Sequence, residues 1–351
     1  MSFLEDTINV IGFLILTVGF IIKNTIRALI PERYKAKNIA GNIALVTGGG
    51  GVLGRLIALR LAKLGVIVVV WDVNKAGIEE TVKLVKSSGG ICYGYVCDLC
   101  NREDIYRKAA QVRKEVGKVA ILINNAGIGS SYKLLNTPDK LIVQTMEVNV
   151  LSHFWTTKAF LPSMMEHNYG HIVSIASMAG HIGVPHMINY CTSKFAAVGF
   201  EEALHMELAA EGYKINSTVV CPFFIQSTGM FNKVSPRYLP RLTPNDVADR
   251  VVSAIRCNEK VVIVPGYLYI FLILKWAFPW ECAGMFIRGM LLNQIHPSDA
   301  PSKEEEEEEE EKEKEKEKGE EIIPTVFSKD PDTTVIQQQL TRRISCSERK
   351  P

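Results

Sequence analysis

Long apolar runs alternate with amphipathic segments through the middle of the chain. Six runs rich in Val, Ile and Leu are separated by helix-like stretches: IALVTG, VIVVVWD, CYGYVCD, AILINNAG, GHIVSIAS and INSTVVCP. Continuous apolar strands that alternate with helices are typical of a parallel sheet buried on both faces. The pattern therefore predicts a doubly wound α/β domain over residues 37–300, with its ligand site at the carboxyl ends of the strands.

The pattern differs near the beginning of the chain. Residues 7–22 form a run without a charge, shorter than the roughly 20 residues that span a bilayer. Basic residues follow this run at Lys23, Arg27, Arg33, Lys35 and Lys37. A buried core helix is the alternative, but the position, the uniform apolarity and the basic flank favour an uncleaved membrane anchor with a basic linker in residues 1–36. By the positive-inside rule the α/β domain then faces the cytosol, whether the anchor spans the membrane or lies in its interface.

A second apolar region covers residues 267–292. Lys275, Pro279 and Glu281 interrupt it, so it is a poor candidate for a spanning helix. We interpret it as a segment that covers the substrate or contacts a membrane interface, with an ordinary core helix as the alternative. Beyond it, residues 303–321 contain 13 Glu and 5 Lys. Such a stretch cannot bury apolar surface, and we expect residues 301–351 to be a disordered acidic tail.

Composition limits the partners. The hydrophobic fraction of 47% is ample for a core, and the net charge of +2 combines the acidic tail with a basic body. A basic body suits a phosphate-bearing ligand or an anionic membrane, but no basic block interleaved with aromatic residues indicates nucleic-acid binding. Among the eight cysteines, Cys97 and Cys100 form a close pair without a second pair that could complete a metal site. We expect free thiols, no metal and an α/β domain in the reducing cytosol.

The segment LVTGGGGVLGR, residues 45–55, carries the first candidate chemistry. A strand ends at Thr47, glycines follow, and a helix is expected to start near Gly54. Glycines allow the backbone to approach a pyrophosphate, and the amide groups of a helix N-terminus attract it. The predicted contacts are Gly48, Gly51, Val52, Leu53 and Gly54; a glycine turn without a ligand is the alternative.

Val52 is an unusual residue in this position. If the position required a positive φ, a β-branched residue would be strongly disfavoured; if it lies in the first helical turn, two methyl groups merely crowd the pyrophosphate. The second alternative predicts weakened but surviving cofactor binding.

Asp72 ends the second predicted strand at a distance suited to the adenosine ribose. A carboxylate there can bind the ribose hydroxyls and repel a 2′-phosphate, which favours NAD over NADP. Arg55 is the opposing feature, since a guanidinium that reaches the ribose would reverse this preference.

Further polar motifs follow in order along the chain. They are NNAG at residues 124–127, Asn149 in MEVNV, Ser177 in SIAS, and Tyr190 and Lys194 in YCTSK. This succession, together with the glycine motif, strongly resembles the short-chain dehydrogenase/reductase family over about residues 39–292. The segments HFWTTKAFLPSMMEHNYGHIVSIAS, VVVWDVN and VVCPFFI resemble the membrane-anchored branch that includes epidermal-type retinol dehydrogenases and lipid-droplet 17-beta-hydroxysteroid dehydrogenases.

The residue types suit removal of a hydride from an alcohol. A base must take the hydroxyl proton, and a free tyrosine with a pKa near 10 is a poor base at neutral pH. Lys194, one helical turn beyond Tyr190, places a cation on the same face, and the oxidised nicotinamide would add another. Both charges favour phenolate. Ser177 is expected to hydrogen-bond the substrate oxygen.

The resemblance implies further roles. It places Lys194 on the nicotinamide ribose, makes Asn149 the holder of a water that takes the proton away, and puts Asp98 at the adenine. Asn124, Asn125, Ala126 and Gly127 would line the cofactor groove, although this motif could mainly stabilise the sheet. After Pro222 the family commonly places a threonine on the cofactor, and here Ser227 and Thr228 compete for that contact.

Members of this branch interconvert a lipophilic alcohol and the corresponding carbonyl compound. The expected reaction is therefore NAD-dependent, with retinol as the leading substrate and a hydroxysteroid or long-chain alcohol as alternatives. Outside the enzymes, the alternative is a membrane or lipid-droplet scaffold protein. We expect the endoplasmic reticulum membrane or the lipid droplet surface as the location, and the resemblance alone suggests a homodimer.

Overall fold

The computed structural model describes residues 3–226, 230 and 239–291. The predicted acidic tail and the competing residues Ser227 and Thr228 lie outside the described residues.

The described domain is built on one parallel sheet of seven strands. The strands are β1 (Ile43–Thr47), β2 (Ile67–Asp72), β3 (Cys92–Val96), β4 (Val119–Asn124), β5 (Gly170–Ile175), β6 (Ile215–Pro222) and β7 (Val261–Val264). Their spatial order is β3-β2-β1-β4-β5-β6-β7, and each neighbouring pair is parallel. The predicted parallel sheet is confirmed. The order reverses between β1 and β4, where a crevice forms at the carboxyl ends of the strands.

Helices cover both faces of this sheet. The helices of the described residues are α1 (Phe3–Leu29), α2 (Glu32–Lys35), α3 (Val52–Lys63), α4 (Lys75–Ser87), α5 (Arg102–Glu115), α6 (Asp139–Met146), α7 (Ser152–His167), α8 (Ile188–Ala210), α9 (Pro244–Cys257), α10 (Tyr269–Ala277) and α11 (Trp280–Phe286). Helices α3, α4 and α9 pack on one face, and α5, α7 and α8 pack on the other. The two faces explain why the strands have unbroken apolar runs.

Alternate residues of each strand serve the two cores. In β1, Ala44 and Val46 pack beneath α3, whereas Leu45 points to the opposite core with Trp71 and Phe160. All five side chains are buried. Burial of a large apolar side chain contributes about 1.5–3 kcal/mol, so these two layers hold the carboxyl ends of the strands in fixed positions.

Helix α1 differs from the others because its apolar side chains are exposed around its circumference. Phe13, Leu16 and Phe20 are 67%, 63% and 59% exposed, respectively. Among the described residues, none of the helices has both the length and the apolarity required for crossing a membrane.

Two boundaries differ from the sequence predictions, and one strand was not predicted. Helix α3 begins at Val52 rather than near Gly54, since Gly51 already serves as its N-cap. Strand β3 ends at Val96, so Asp98 lies two residues beyond it in the following loop. Strand β7 was not predicted, because its four apolar residues are too few to stand out beside the six longer runs.

Candidate active site

The glycine turn after β1 is held in a single shape by its neighbours. Gly48 has a φ of +65°, which favours glycine, and a Cβ there would lie 2.9 Å from the Ala126 Cα. The Asn125 side-chain amide donates to the carbonyl oxygens of Thr47 at 2.8 Å and Gly48 at 3.3 Å. The backbone amide of Asn125 in turn donates to the Thr47 hydroxyl at 3.0 Å. Asn125 therefore acts as a clamp on the turn.

The N-terminus of α3 faces the crevice without a side-chain cap. Asn74 and Asn101 cap α4 and α5 by accepting hydrogen bonds from backbone amides. At α3, the N-cap is Gly51, which has no side chain to accept such a bond. The first-turn amides of Val52 and Leu53 therefore face a cavity that these residues line, an arrangement suited to a phosphate group.

The structure decides between the two alternatives for Val52. It is the first residue of α3 and has no positive φ. Its side chain is 41% exposed and lines the cavity, so its methyl groups crowd the mouth of the phosphate site without straining the backbone. The glycine turn fits a pyrophosphate, with Val52 as a partial obstruction.

Asp72 and Arg55 are held in different directions. The Asp72 carboxylate accepts hydrogen bonds from the Gly50 and Asn74 amides, both at 2.9 Å, and the residue lines the cavity. Arg55 donates to the Gly50 carbonyl at 3.1 Å and forms an ion pair with Glu80 at 2.6 Å. Its guanidinium is thus engaged beside α4, while the carboxylate remains at the cavity wall.

The remaining predicted cofactor residues lie along the same groove. Asp98 is exposed in the loop after β3, where its carboxylate accepts from the Cys100 amide at 2.9 Å. Asn124 is buried and accepts from the Thr156 hydroxyl at 2.8 Å, so it serves the sheet rather than the groove. Asn125, Ala126 and Gly127 line the cavity.

Tyr190, Lys194 and Ser177 come together at the other end of the cavity. Tyr190 and Lys194 lie on the first turns of α8, and Ser177 follows β5. The Ser177 hydroxyl is hydrogen-bonded to the Tyr190 phenol. The Lys194 Nζ lies 5.6 Å from the centroid of the Tyr190 ring and donates to the Ile175 carbonyl at 2.9 Å. A hydroxyl, a phenol and an ammonium thus converge on one point.

Burial dominates the ionisation of this group. It raises the pKa of Tyr190 to about 12, against a smaller lowering by the Ser177 hydrogen bond. It also lowers the pKa of Lys194 to about 8. Burial, which residue spacing does not reveal, therefore outweighs any favouring of the phenolate by Lys194. The lowering expected from a bound oxidised nicotinamide stays a prediction.

Asn149 lies in a buried π-helical turn, Glu147–Leu151. Its side-chain oxygen accepts from the Ile128 amide at 2.8 Å, and its amide donates to the Ile128 carbonyl at 2.8 Å and the Ser193 hydroxyl at 2.9 Å. Asn149 therefore fixes the strand-end loop against α8. The water-holding role stays a prediction.

The cavity that joins these groups has a volume of about 380 Å³. At the Tyr190 end its wall is largely apolar, formed by Met178, Ile182, Val184, Met187, Phe223 and Phe224. The sequence did not predict the apolar wall or the hydrogen bonds that Asn125 makes to the turn, because these depend on contacts between distant parts of the chain. The carbonyls of Ile175 and Pro222, which accept from Lys194 and Ser177, are invisible in a sequence for the same reason.

Comparisons with known proteins agree with this geometry. The sequence profile of the short chain dehydrogenase family matches residues 42–239. Estradiol 17-beta-dehydrogenase 11 of Rattus norvegicus is 45% identical over 280 residues, which cover 80% of this chain and 92% of that protein. Epidermal retinol dehydrogenase 2 of Homo sapiens is 44% identical over 297 residues, which cover 83% of this chain and 95% of that protein.

Solved structures show the same architecture. A short chain dehydrogenase/reductase from Burkholderia phymatum in complex with NAD superposes with a TM-score of 0.63 at 25% identity, covering 76% of this chain and 99% of that one. A metagenomic short-chain oxidoreductase in complex with NADP gives a TM-score of 0.56 at 25% identity, covering 64% and 96%. The profile match and the high coverage of the relatives establish that this chain belongs to the short chain dehydrogenase family.

Proposed function

We propose that this protein is an NAD-dependent oxidoreductase that interconverts a lipophilic alcohol and its carbonyl. The observation that carries the proposal is the convergence of Ser177, Tyr190 and Lys194 at the apolar end of a cavity whose other end is an open glycine turn. The buried Lys194 costs solvation free energy, and a scaffold protein would gain nothing that offsets this cost. The scaffold alternative is therefore disfavoured.

The chain's own residues provide the proton chemistry. When bound, the oxidised nicotinamide supplies the acceptor for the substrate hydride. Tyr190 takes the proton of the substrate hydroxyl, and the ammonium of Lys194 beside its ring stabilises the phenolate. The Ser177 hydroxyl donates to the substrate oxygen, which fixes it beside the phenol. In carbonyl reduction the same phenol returns the proton.

The apolar wall supports a lipophilic substrate, and relatives named for retinol and for estradiol both support this class. Retinol is our leading substrate, and a hydroxysteroid is the second candidate. The test is NADH fluorescence of the detergent-solubilised chain with all-trans-retinol, estradiol or hexadecanol, each with NAD or NADP. We expect turnover of retinol with NAD. Absence of turnover with all three alcohols and both cofactors would favour the scaffold alternative.

We further propose that Asp72 sets the preference for NAD. Its carboxylate lies at the cavity wall and would repel a 2′-phosphate, whereas Arg55 is engaged by Glu80 and the Gly50 carbonyl. Arg55 thus does not offset the repulsion between the Asp72 carboxylate and a 2′-phosphate.

Replacing Asp72 with asparagine is expected to shift cofactor choice. The asparagine side chain keeps the shape of aspartate and one hydrogen-bond acceptor oxygen, but it carries no negative charge. We expect the ratio of kcat/KM for NADP to that for NAD to rise at least tenfold, which corresponds to ~1.4 kcal/mol. Asp98→Asn is the control. Asp98 lines the same cavity and has the same charge as Asp72, but at a different position. An equal rise in the control would contradict the assignment.

Replacing Val52 with alanine is expected to tighten cofactor binding. The change removes two methyl groups from the mouth of the phosphate site and leaves α3 a better helix former at its first position. We expect the Kd for NADH, measured by fluorescence titration, to fall by about 3- to 10-fold, the lower part of the range for relief of crowding. Val73→Ala is the control, because Val73 lines the same cavity at an exposed position. This change removes only contact area and should not tighten NADH binding.

We propose that α1 attaches the protein to a membrane surface. Its exposed Phe13, Leu16 and Phe20 would bury apolar area in the lipid, and basic residues at Arg33 and Lys35 suit anionic headgroups.

The seven cysteines of the described part are free, as expected for a domain that faces the cytosol. We propose the endoplasmic reticulum membrane or the lipid droplet surface as the location; the homodimer stays a prediction.

The combined change Phe13→Glu, Leu16→Glu and Phe20→Glu is expected to release the protein from membranes. Each glutamate opposes insertion of α1 into the acyl region. We expect the fraction that floats with phosphatidylcholine and phosphatidylserine vesicles to fall at least about tenfold. The control is Leu135→Glu, since Leu135 is 95% exposed on the catalytic domain. Flotation that resists the triple change would exclude α1 as the attachment.

A further inference from the structure

A second cavity lies beside the candidate active site, beneath the C-terminal helices. Its volume is about 280 Å³. Its lining comes from the turn after β5, the residue after β6, α10 and α11, and the short segments that flank these two helices: Met178, Ile182, Phe223, Leu268, Phe271, Leu274, Lys275, Phe278, Cys282 and Ile287. None of the catalytic side chains lines this cavity. It is therefore a separate compartment of the described domain.

The two cavities are adjacent. Met178, Ile182 and Phe223 line both cavities and therefore lie at the boundary between them. Met178 directly follows Ser177, which places the partition one residue from the hydroxyl that would hold the substrate oxygen. The first cavity must contain the cofactor as well as the reacting carbon. The bulk of a large substrate therefore needs further space, which the second cavity offers across this partition.

The chemistry of the second cavity suits a hydrocarbon without polar groups. Lys275 is the only charged residue in the described lining, and its amine donates to the His181 carbonyl at 2.5 Å. The same amine lies 5.5 Å from the Phe195 ring and 5.1 Å from the Trp276 ring. A second polar group on a substrate, such as the far oxygen of a steroid, would be buried here at a cost. A plain hydrocarbon chain avoids that cost.

The cavity has a closed floor and an open rim. Leu268 at its base is 1% exposed, while Leu274 and Phe278 at its edge are 42% and 54% exposed. A chain that enters from the reaction centre can thus extend toward the surface along α10. This shape favours an extended ligand over a compact one.

We propose that the second cavity is the subsite for the hydrocarbon tail of the substrate, and that it selects long, extended alcohols over short ones and over steroids with a second oxygen. This inference rests on the proposed function and specifies its substrate class. Met178, Ile182 and Phe223 form the passage between the reacting carbon and the tail.

Filling the rim of the cavity tests the proposal. Leu274→Trp places a larger side chain in the lining of the second cavity only, and Cys282→Trp does so from α11. Ile273→Trp is the matched control, because Ile273 is the adjacent residue of α10, is 65% exposed and does not line the cavity. Thermal unfolding identifies any variant that fails to fold.

The kinetic test uses isoprenoid alcohols with the same allylic head: prenol, geraniol, farnesol and geranylgeraniol. In the unmodified protein, kcat/KM should rise at least about 100-fold along this series as apolar area is buried. Both cavity variants should lower kcat/KM for geranylgeraniol about tenfold or more and leave that for prenol within about twofold, whereas Ile273→Trp leaves both unchanged. Equal losses for prenol and geranylgeraniol, or no loss, would overturn the proposal.

A binding test separates this proposal from the proposed function. A 16-carbon alcohol with a diazirine at its far end is photolysed with the full chain in detergent, and labelled peptides are identified by mass spectrometry. We expect label on residues 268–287, at least about fivefold weaker in Leu274→Trp than in Ile273→Trp. This result supports the subsite even if no alcohol is turned over, whereas label elsewhere or unaffected by Leu274→Trp overturns it.

Discussion

Replacing Tyr190 with phenylalanine is expected to lower kcat for alcohol oxidation by about 10²- to 10⁴-fold, the range of general acid–base catalysis. The change deletes one hydroxyl, the group that takes the substrate proton, and keeps the ring that lies beside Lys194. The Kd for NADH should change little. Stopped-flow oxidation of retinol with NAD gives kcat, and fluorescence titration gives the Kd.

The control for this change is Tyr169→Phe. Tyr169 precedes β5, at the amino end of the strand, and its hydroxyl accepts from the Asn42 side chain at 2.7 Å. Tyr169→Phe therefore removes the same phenol hydroxyl at the opposite edge of the sheet. We expect this change to leave kcat unchanged. A Tyr190→Phe enzyme that keeps more than about a tenth of its kcat would show that another group takes the proton.

The pH profile gives a second readout for Tyr190. Burial raises the pKa of this phenol to about 12, so the neutral form predominates at neutral pH. Oxidation needs the phenolate, and its rate should rise with pH by up to about tenfold per unit below the pKa of the phenol in the complex. Carbonyl reduction needs the neutral phenol and should show no such rise. The phenylalanine variant should lose the pH dependence of oxidation that Tyr190 causes.

The sequence predicted those features of the site that depend on local order along the chain. Asp72 was placed at the end of a strand because an apolar run stops there, and Tyr190 and Lys194 were placed on one face because they are four residues apart on a helix. These relations survive in any packing of the helices and strands. The six longer strands and the glycine turn could also be predicted from local order along the chain.

The features that sequence did not reveal depend on distant parts of the chain. The Asn125 clamp joins β4 to the turn after β1, and the second cavity exists only where α10 packs beside the turn after Ser177. The raised pKa of Tyr190 arises from burial, which no residue near it in sequence specifies. Tertiary contacts between carbonyls and apolar side chains have no local signature, so these features required the structure.

Replacing Gly54 with alanine is expected to disrupt the phosphate site and to destabilise the fold. A Cβ at Gly54 would overlap the Gly48 carbonyl oxygen and lie 2.9 Å from the Asn125 side-chain nitrogen. Neither neighbour can move freely, because the Asn125 side chain is hydrogen-bonded to the Thr47 carbonyl and Ala126 lies so close to Gly48 that a Cβ at Gly48 would meet its Cα at 2.9 Å. The free energy of unfolding should fall by about 1–3 kcal/mol or more, as in overpacked cores, and NADH binding should weaken by at least about fivefold.

Gly51→Ala separates this clash from a general sensitivity of the turn. Gly51 has a φ of −78°, and a Cβ there would meet the Gly48 oxygen at 3.4 Å, an ordinary van der Waals distance. Alanine at this N-cap should cost less than about 1 kcal/mol in chemical unfolding of the protein without added cofactor. Equal destabilisation by both changes would mean that the turn tolerates no Cβ at all. A large loss confined to Gly54 would show that the clamp formed by Asn125 and Gly48 gives the turn its shape, and that this shape is set before any nucleotide binds.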